Sequence, residues 1–548
     1  MVIRWDHRIY ISNKILYIRG DNPMKTSKRV ISLLLAMLMI LNFGAMSVSA
    51  KSRISMTKKL RIQQGKSCVL QLKGVKPKEK VKWSVGKKTV VKLSKKINKN
   101  KCKIIAKNPG TTYVRAKYKG KIYKCKVTVV KKKKQNITTE TTTEKNPGKV
   151  PNNDSSNKDP EKNIEVTKGI SSQTRRYYKK WKAKYVKKDR YCKKEERFYV
   201  RYSEETYNGG SESVPVTVSE AHGYGMLIMT EMASYDTKAH AIFDGMVRFY
   251  NAHRSSIGPH LMSWLQSDNG KALIDGDNAK LENEPGDSAT DGDMDIAYAL
   301  LRADKIWGSK GEFNYRQMAI DMIKDIWKYE VNKKYYVLSL GDWTYKESKT
   351  SKYYGATRCS DFIMSYLPVF ASATGNQGWM KVYNKTYEII EDLGINGSTG
   401  LLPDFVVPDK TTGKYKAAPA GFLEDENDGA YNYNSCRCPW RISQDYLVNG
   451  NLKAKAWAEK VTDFIYSSTN GDASQIYGGY KIDGTPLVSY TELCFTAPFV
   501  LAAHCTDNTT WYDALRKKTV EYKLDDYFGD TIKMLVLIED DKAAQKTK

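Results

Sequence analysis

The sequence predicts two units of different fold class: an all-α closed array of helices over residues 170–548, preceded by a small all-β sandwich over residues 51–130. After residue 170, apolar side chains recur at the spacing of amphipathic helices. Before residue 130, apolar and polar side chains alternate with a period of two, which is typical of strands. Helix following helix favours a closed helical array over the alternating strands and helices of a βαβ fold.

The helical spacing defines a series of candidate helices. They cover residues 220–232, 239–253, 293–306, 314–330, 359–373, 377–392, 439–448, 451–467, 489–504, 509–521 and 527–540. A single clear strand signal interrupts them, at residues 335–340.

The β segment carries most of the excess positive charge. The chain has 91 Lys and Arg against 60 Asp and Glu, a net charge of +31. Residues 51–130 hold 26 basic residues and one acid, Glu79, whereas residues 171–548 sum to −2. In the segment 123–129, apolar side chains alternate with lysines, so the lysines coat the exterior of the predicted sandwich. Charge confined to one unit argues against a nucleic-acid-binding protein and indicates an anionic partner for that unit alone.

Residues 1–50 are predicted to be an upstream extension followed by a secretory signal. The signal covers 24–50, with a basic start, an apolar run at 31–41 and small residues ending at Ala50. A membrane anchor is the alternative, but the apolar run is shorter than the roughly 20 residues needed to span a bilayer. The mature protein is therefore expected to be extracellular or associated with the cell wall.

Residues 131–169 are predicted to be a disordered linker. They contain no aromatic residue, three prolines and many Thr, Asn and Lys residues. Such a composition cannot bury enough apolar surface to fold.

No metal or cofactor is predicted. The nine cysteines show no CxxC spacing, and Cys436 and Cys438 are predicted to be buried in packing. The acidic run that begins at Asp291 resembles a calcium loop, but Ile296 and Arg302 stand where that loop has its glycine and its glutamate.

Three segments combine carboxylates with aromatic residues. Glu220 opens a candidate helix beside two glycines, and Asp291 lies at the start of another. Glu424 lies in a loop rich in acids and tyrosines that runs into a helix at Pro439. One carboxyl group can protonate a leaving oxygen while another activates water, and aromatic faces stack on sugar rings. The pattern therefore indicates cleavage of glycosidic bonds.

Together the three segments resemble glycoside hydrolase family 8. The resemblance rests on Ser219-Glu220-Ala-His-Gly-Tyr-Gly225, on residues 289–307 and on Asn434-Ser-Cys-Arg437-Cys-Pro-Trp440-Arg441. It implies an (α/α)6 barrel and an extracellular, endo-acting enzyme that works by single-step inversion without a cofactor.

The resemblance also implies a role for each matching residue. Glu220 is the expected general acid, and Asp291 is expected to hold the sugar at the point of cleavage. The other expected site residues bind the substrate, as lining positions or as stacking platforms: Trp264, Trp343, Tyr433, Arg437 and Trp440.

The expected general base is Glu424. Many family members carry an aspartate base where this chain has Asn434, and a neutral amide cannot take a proton from water. A subgroup with asparagine at this position uses a glutamate ten residues upstream, in an inserted loop, which corresponds to Glu424 here. The resemblance thus implies the subgroup of chitosanases, lichenases and some endoglucanases.

The leading hypothesis is a secreted, inverting, endo-acting glycoside hydrolase that cleaves β-1,4 linkages in cellulose or mixed-linkage β-glucan. A chitosanase with the same mechanism is one alternative. A non-catalytic, wall-associated glycan-binding protein is the alternative from another class. A monomer is expected, with no membrane contact after signal cleavage.

Residues 51–130 resemble bacterial immunoglobulin-like group 2 domains, through Trp83-Ser-Val85 and residues 106–114. The resemblance implies an immunoglobulin-like sandwich. Its lysine coat suggests that it holds the enzyme on an anionic cell-wall polymer.

Overall fold

A computed structural model of the chain describes most of residues 54–130, together with residues 160–276 and 286–546, and these fall into two compact units, 54–130 and 160–546. The predicted secretory signal and most of the predicted linker lie outside the described residues. None of the described helices combines the length and the apolar character needed to cross a lipid bilayer.

The described residues of the first unit form seven strands in two sheets. The strands are β1 (Lys59–Gln63), β2 (Ser67–Gln71), β3 (Lys82–Val85), β4 (Val91–Asn98), β5 (Lys101–Ala106), β6 (Gly110–Tyr118) and β7 (Lys121–Val130). One sheet has the order β1-β7-β6-β3, with β1 parallel to β7, and the other has the order β2-β5-β4. Ile104 from one sheet and Val114 and Val127 from the other are fully buried in one core, so the two sheets enclose it between them.

The second unit is a closed ring of helices. In chain order they are α1 (Ser172–Tyr185), α2 (Ser219–Glu231), α3 (Ala239–Ala252), α4 (Thr290–Trp307), α5 (Tyr315–Asp325), α6 (Tyr366–Thr374), α7 (Gly378–Ile389), α8 (Cys438–Asn449), α9 (Leu452–Ser468), α10 (Leu493–Thr496), α11 (Phe499–His504), α12 (Thr509–Glu521) and α13 (Tyr527–Lys546). Outer helices (α1, α3, α5, α7, α9, α12) alternate with inner ones (α2, α4, α6, α8, α10 with α11, α13).

Burial distinguishes the two layers. Every residue of the inner helix α2 is buried, whereas the outer helix α9 buries Ala454, Trp457, Ala458 and Val461 along one stripe. The last inner helix, α13, packs against the first, α2, and closes the ring. The described helices therefore form the (α/α)6 barrel that the family resemblance implies.

Short strands connect the helices. Two pairs form, β8 (Val186–Lys188) with β9 (Phe198–Val200) and β13 (Val331–Asn332) with β14 (Val337–Leu338). Two three-stranded sheets also form. One consists of β10 (Val214–Val218), β11 (Leu265–Asp268) and β12 (Leu273–Asp275), and the other of β15 (Thr357–Arg358), β16 (Phe405–Pro408) and β17 (Tyr415–Ala417).

The largest departures from the predicted helices are at 359–373 and 489–504. The predicted helix 359–373 begins only at Tyr366, and the residues Cys359–Asp361 form instead a short 3-10 turn directly after strand β15. The predicted helix 489–504 is split at Pro498, which has no N–H to continue the helix. The lysine-rich helix α1 was not predicted, although it buries Trp181 and two tyrosines.

The predicted linker also ends earlier than residue 169. Residues 160–170, called the strap below, pack on the helical unit. Glu161 accepts a hydrogen bond from Arg316 at 3.0 Å, and Thr167 accepts one from the buried Arg302 at 3.0 Å. Ile164 is 4% exposed. Composition alone does not reveal these contacts, because their partners lie far along the chain.

Candidate active site

Several charged side chains meet at one end of the barrel. Glu220 is the second residue of α2, Asp291 is the second residue of α4, and Arg437 directly precedes α8. Helix N-termini carry partial positive charge, which favours carboxylates at the first two positions. The barrel thus gathers two of the three expected catalytic carboxylates on neighbouring inner helices.

Two glycines allow α2 and α4 to approach this closely. A Cβ atom at Gly223 would lie 2.7 Å from the Cβ of Asp295, and one at Gly292 would lie 2.6 Å from the backbone of α2. Any larger residue would push the helices apart. The glycines in the two sequence motifs therefore bring Glu220 and Asp291 together.

Arg437 joins the two carboxylates. Its Nη1 donates to Glu220 Oε2 at 2.6 Å and to Asp291 Oδ2 at 2.9 Å. The guanidinium is 1% exposed, so these contacts are shielded from solvent. The other oxygen of Glu220 accepts a hydrogen bond from the hydroxyl of Tyr527, the first residue of α13, at 3.0 Å.

Glu424 lies at the same site and contacts Asn434. Asn434 Nδ2 donates to Glu424 Oε2 at 2.8 Å, while Asn434 Oδ1 accepts from Arg437 Nη2 at 3.0 Å. Because Arg437 can only donate, the amide must present its oxygen to Arg437 and its NH2 group to Glu424. Asn434 therefore links Glu424 to Arg437 and, through it, to Glu220. The structure brings together the expected acid, the expected base and Asp291.

Asp428 shapes the loop that carries Glu424. Its buried carboxylate accepts the backbone N–H groups of Leu423 at 2.6 Å, Glu424 at 3.1 Å and Asp425 at 3.1 Å. Three such bonds hold this irregular segment in one conformation. Of the acids in the loop, Asp428 is thus structural, and the Glu424 side chain remains 14% exposed.

Asp404 anchors the backbone at Asn434 in the same way. Its carboxylate accepts the N–H groups of Ser435 at 2.7 Å and Asn434 at 3.1 Å. Burial raises the pKa of the Asp404 carboxyl to about 7.

Arg358 is a site residue that no sequence motif indicates. It ends β15, its side chain is 3% exposed, and its Nη2 donates to Glu424 Oε1 at 3.5 Å. Its Nη1 lies 3.9 Å from Asp291 Oδ1. Nε and Nη1 of Arg358 have no hydrogen-bond partner among the described residues. The nearest signal in the sequence is a lone arginine in the Thr-Arg-Cys-Ser-Asp stretch, which does not by itself indicate a site.

The two expected stacking platforms, Trp264 and Trp343, lie near residues that are adjacent in sequence to the catalytic carboxylates. The carbonyl oxygen of Trp264 accepts the N–H of Ser219, next to Glu220, at 2.8 Å. Trp343 packs in an apolar cluster with Leu423, next to Glu424. Both indoles are half-buried, which leaves part of each ring accessible.

The other expected lining residues differ in their surroundings. Tyr433 is half-buried, and its hydroxyl donates to Glu492 at 2.9 Å. Trp440 is only 1% exposed and packs beneath the site, with the Arg441 guanidinium 3.8 Å from its ring centroid. Burial at this level is shared by Arg437, so the role of Trp440 as a lining residue stays a prediction.

A buried acidic cluster supports the segments that carry the two tryptophans. Asp342, next to Trp343, accepts two backbone N–H groups at 2.8 and 2.9 Å from other loops. Burial raises the pKa of the neighbouring Asp293 and Glu330 well above the usual range, which favours the neutral form of these carboxyl groups. No group of three or more metal-binding side chains in the described part of the chain is arranged to hold a metal ion.

A closed (α/α)6 barrel with separated carboxylates at one end has the architecture of a glycosidase. The chain belongs to the glycosyl hydrolases family 8, whose pattern matches residues 171–542. It is 41% identical over 373 residues to a beta-glucanase of Niallia circulans, covering 67% of this chain and 84% of the relative. It is 35% identical to an endoglucanase of Bacillus sp. (strain KSM-330), covering 67% and 75%.

A solved structure gives the same result. The apo structure of a beta-1,3-1,4-glucanase from Paenibacillus sp. X4 is 39% identical, has a TM-score of 0.60 and covers 69% of this chain and 94% of that one. The family resemblance found in the sequence is confirmed, and the protein is a glycosidase.

Proposed function

We propose that this glycosidase is a secreted, inverting, endo-acting β-glucanase that cleaves β-1,4 linkages in cellulose or mixed-linkage β-glucan. Glu220 is the general acid, Glu424 is the general base, and Asp291 holds the sugar at the point of cleavage. The observation that carries the proposal is the hydrogen bond from Asn434 to Glu424. It holds a carboxylate where many family members have an aspartate.

Hydrogen bonds hold both proposed catalytic carboxyl groups in place. The NH2 group of Asn434 and the guanidinium of Arg358 both donate to Glu424 and orient its carboxylate. Glu220 shares Nη1 of Arg437 with Asp291.

The proposed inversion requires that the two carboxyl groups lie apart. Glu220 and Glu424 are linked through two intervening side chains, Arg437 and Asn434. Inverting enzymes separate their carboxyl groups by roughly 6.5–9.5 Å, so that a water fits between the base and the sugar. Glu424 removes a proton from that water while Glu220 protonates the departing oxygen on the other face of the ring.

The substrate assignment follows the relatives. The similar proteins named above are a beta-glucanase, an endoglucanase and a beta-1,3-1,4-glucanase, and all three names denote action on β-glucans. We assign the same substrate class to this chain and, from the asparagine at 434, the subgroup with its base in the inserted loop. Secretion follows from the signal-like residues 24–50.

A substrate panel tests the activity. The chain from residue 51 onwards is incubated with lichenan, carboxymethylcellulose, chitosan and xylan, and new reducing ends and loss of viscosity are measured. We expect release from lichenan or carboxymethylcellulose with an early fall in viscosity. Release from chitosan alone would replace the β-glucanase assignment by a chitosanase, and binding without release from any polymer would overturn catalysis.

Proton NMR of the first product tests the mechanism. Inversion of a β-linkage yields the α-anomer before mutarotation. Initial formation of the β-anomer would contradict single-step inversion. N-terminal sequencing of protein exported by a bacterial host tests secretion, and we expect Lys51 as the first residue.

A further inference from the structure

The outer face of the four-stranded sheet in residues 54–130 is strongly basic. Strands β3, β6 and β7 alternate buried and outward-facing residues, and five of the outward-facing side chains are cationic. This basic face consists of Lys82, Arg115, Lys117, Lys124 and Lys126.

The strand register brings these cations next to one another. Lys82 pairs with Lys117 across β3 and β6, and Arg115 pairs with Lys124 across β6 and β7. Strands lie about 4.8 Å apart, and directly opposed like charges destabilise a sheet. The unit therefore holds several cations close together, and an anionic partner would offset their mutual repulsion.

The unit itself contains almost no acidic side chain that could neutralise these cations. Residues 51–130 contain 26 basic residues and one acid, Glu79, and Glu79 accepts a hydrogen bond from Tyr118, whose ring is buried. None of the described residues on the basic face is acidic.

Two large apolar side chains are exposed on the same face. Tyr113 is 42% exposed and lies opposite Lys126, and Ile122 is 53% exposed and lies opposite Lys117. Cations beside an exposed aromatic ring suit a polymer that carries both charges and sugar rings, because the ring can stack on a sugar while the lysines pair with its charges.

From this arrangement we infer that the basic face binds a linear anionic glycan polymer whose repeats carry carboxylate or phosphate groups. The choice of a glycan rather than a nucleic acid rests on the proposed function, since an enzyme that acts on neutral β-glucan gains from being held among the glycans that surround it. The partner is distinct from the substrate, and the basic face takes no part in catalysis.

The test compares two variants of equal charge in the chain from residue 51 onwards. One replaces Arg115, Lys117 and Lys124 by Gln on the basic face. The control replaces Lys92, Lys101 and Lys103 by Gln; these are exposed residues of β4 and β5 in the other sheet. Binding is measured on immobilised polygalacturonate, on phosphate-bearing wall teichoic polymer, on neutral β-glucan and on double-stranded DNA, each over a range of salt concentrations.

We expect the wild type to bind one of the two anionic glycans, with an affinity that falls linearly with salt on a log–log plot. The basic-face variant should bind about tenfold or more weakly, with a slope reduced by about two to three, while the control changes little. Tyr113→Ala should weaken binding without changing the slope. All variants should hydrolyse soluble lichenan like the wild type, so that failure of binding is separable from failure of the proposed catalysis.

Three outcomes would overturn the inference. These are equal loss of binding in the control variant, binding that is insensitive to salt, and tighter binding of DNA than of either anionic glycan.

Discussion

The side-chain amide of Asn434 donates a hydrogen bond to the carboxylate of Glu424 at 2.8 Å. The two residues are ten positions apart, and no regular element connects them. Asp404 holds the backbone at one and Asp428 holds the backbone at the other. The contact is therefore built by two separately anchored segments, and it underlies the first two predictions.

Glu424→Gln should lower kcat by about 10³-fold or more, because a neutral amide cannot take a proton from water and general-base catalysis contributes about 10²–10⁴. The variant keeps the size of the side chain, so KM on lichenan should change little. Glu426→Gln, an exposed neighbour in the same loop, is the matched control and should retain full activity. Asn434→Ala should lose less activity than Glu424→Gln; the reverse order would show that the base is assigned wrongly.

Asn434→Asp should move the acidic limb of the pH–rate profile to higher pH. The new carboxylate would lie within hydrogen-bond distance of Glu424, and two adjacent carboxylates retain a shared proton. Repulsion between the two carboxylates disfavours their doubly ionised state, which therefore forms only at higher pH. The measurement is kcat/KM for lichenan between pH 4 and 8, with Asn434→Ala as the uncharged comparison. An unchanged acidic limb would contradict the contact.

Arg358→Met should reduce kcat by about 10²-fold or more. Removal of this buried cation leaves Glu424 and Asp291 without a positive charge that faces both. Loss of one partner from a buried ion pair costs about 3–5 kcal/mol, so the midpoint of thermal unfolding should also fall. Arg358→Lys should recover stability more fully than activity, because an ammonium group retains the charge without the planar fork.

Arg197→Met is the surface control for that variant, since Arg197 pairs with Glu195 at the exterior. It should change neither kcat nor the unfolding midpoint measurably. Equal effects at the two positions would show that Arg358 has no specific role.

Asp361→Asn should alter how stability depends on pH. Burial raises the pKa of the Asp361 carboxyl to about 7, above its ordinary value of about 4. Its contribution to stability is therefore complete below pH 4 and is lost as pH rises through 7, an effect on the order of 2–4 kcal/mol. The unfolding midpoint of the variant should therefore rise relative to that of the wild type as the pH increases from 4 to 8. A constant difference across this range would refute the raised pKa.

A fragment that begins at residue 171 should be less stable than one that begins at residue 158. The shorter fragment lacks the strap, which buries Ile164 and pairs Glu161 with Arg316. Loss of this burial and of the partly buried ion pair should lower the free energy of unfolding by a few kcal/mol, on the order of 2–4. Urea unfolding of the two fragments measures the difference, and equal midpoints would show that the strap contributes nothing.

Local sequence patterns predicted the helices well where one apolar stripe faces the core. The outer helix α9 (Leu452–Ser468) was predicted at 451–467, within one residue at each end. The pattern failed at α1, where lysines cover the exposed face, and at 359–373, where a 3-10 turn after strand β15 replaces the first part of the helix. Periodicity reports which face of a segment is apolar but not which distant segment pairs with it.

The sequence by itself determined the family, the barrel, the charge division of the chain and the identity of three candidate carboxylates, because each of these depends on residue types at short spacings. Tertiary structure alone decided that Arg358 faces Glu424, that Tyr527 faces Glu220 and that Trp440 is buried beneath the site. These relationships join residues that are 66 and 307 positions apart, or depend on which side of an inner helix faces the barrel interior. Only closure of the ring brings such residues together, since electrostatic and packing contacts act over a few ångströms of space and are independent of distance along the chain.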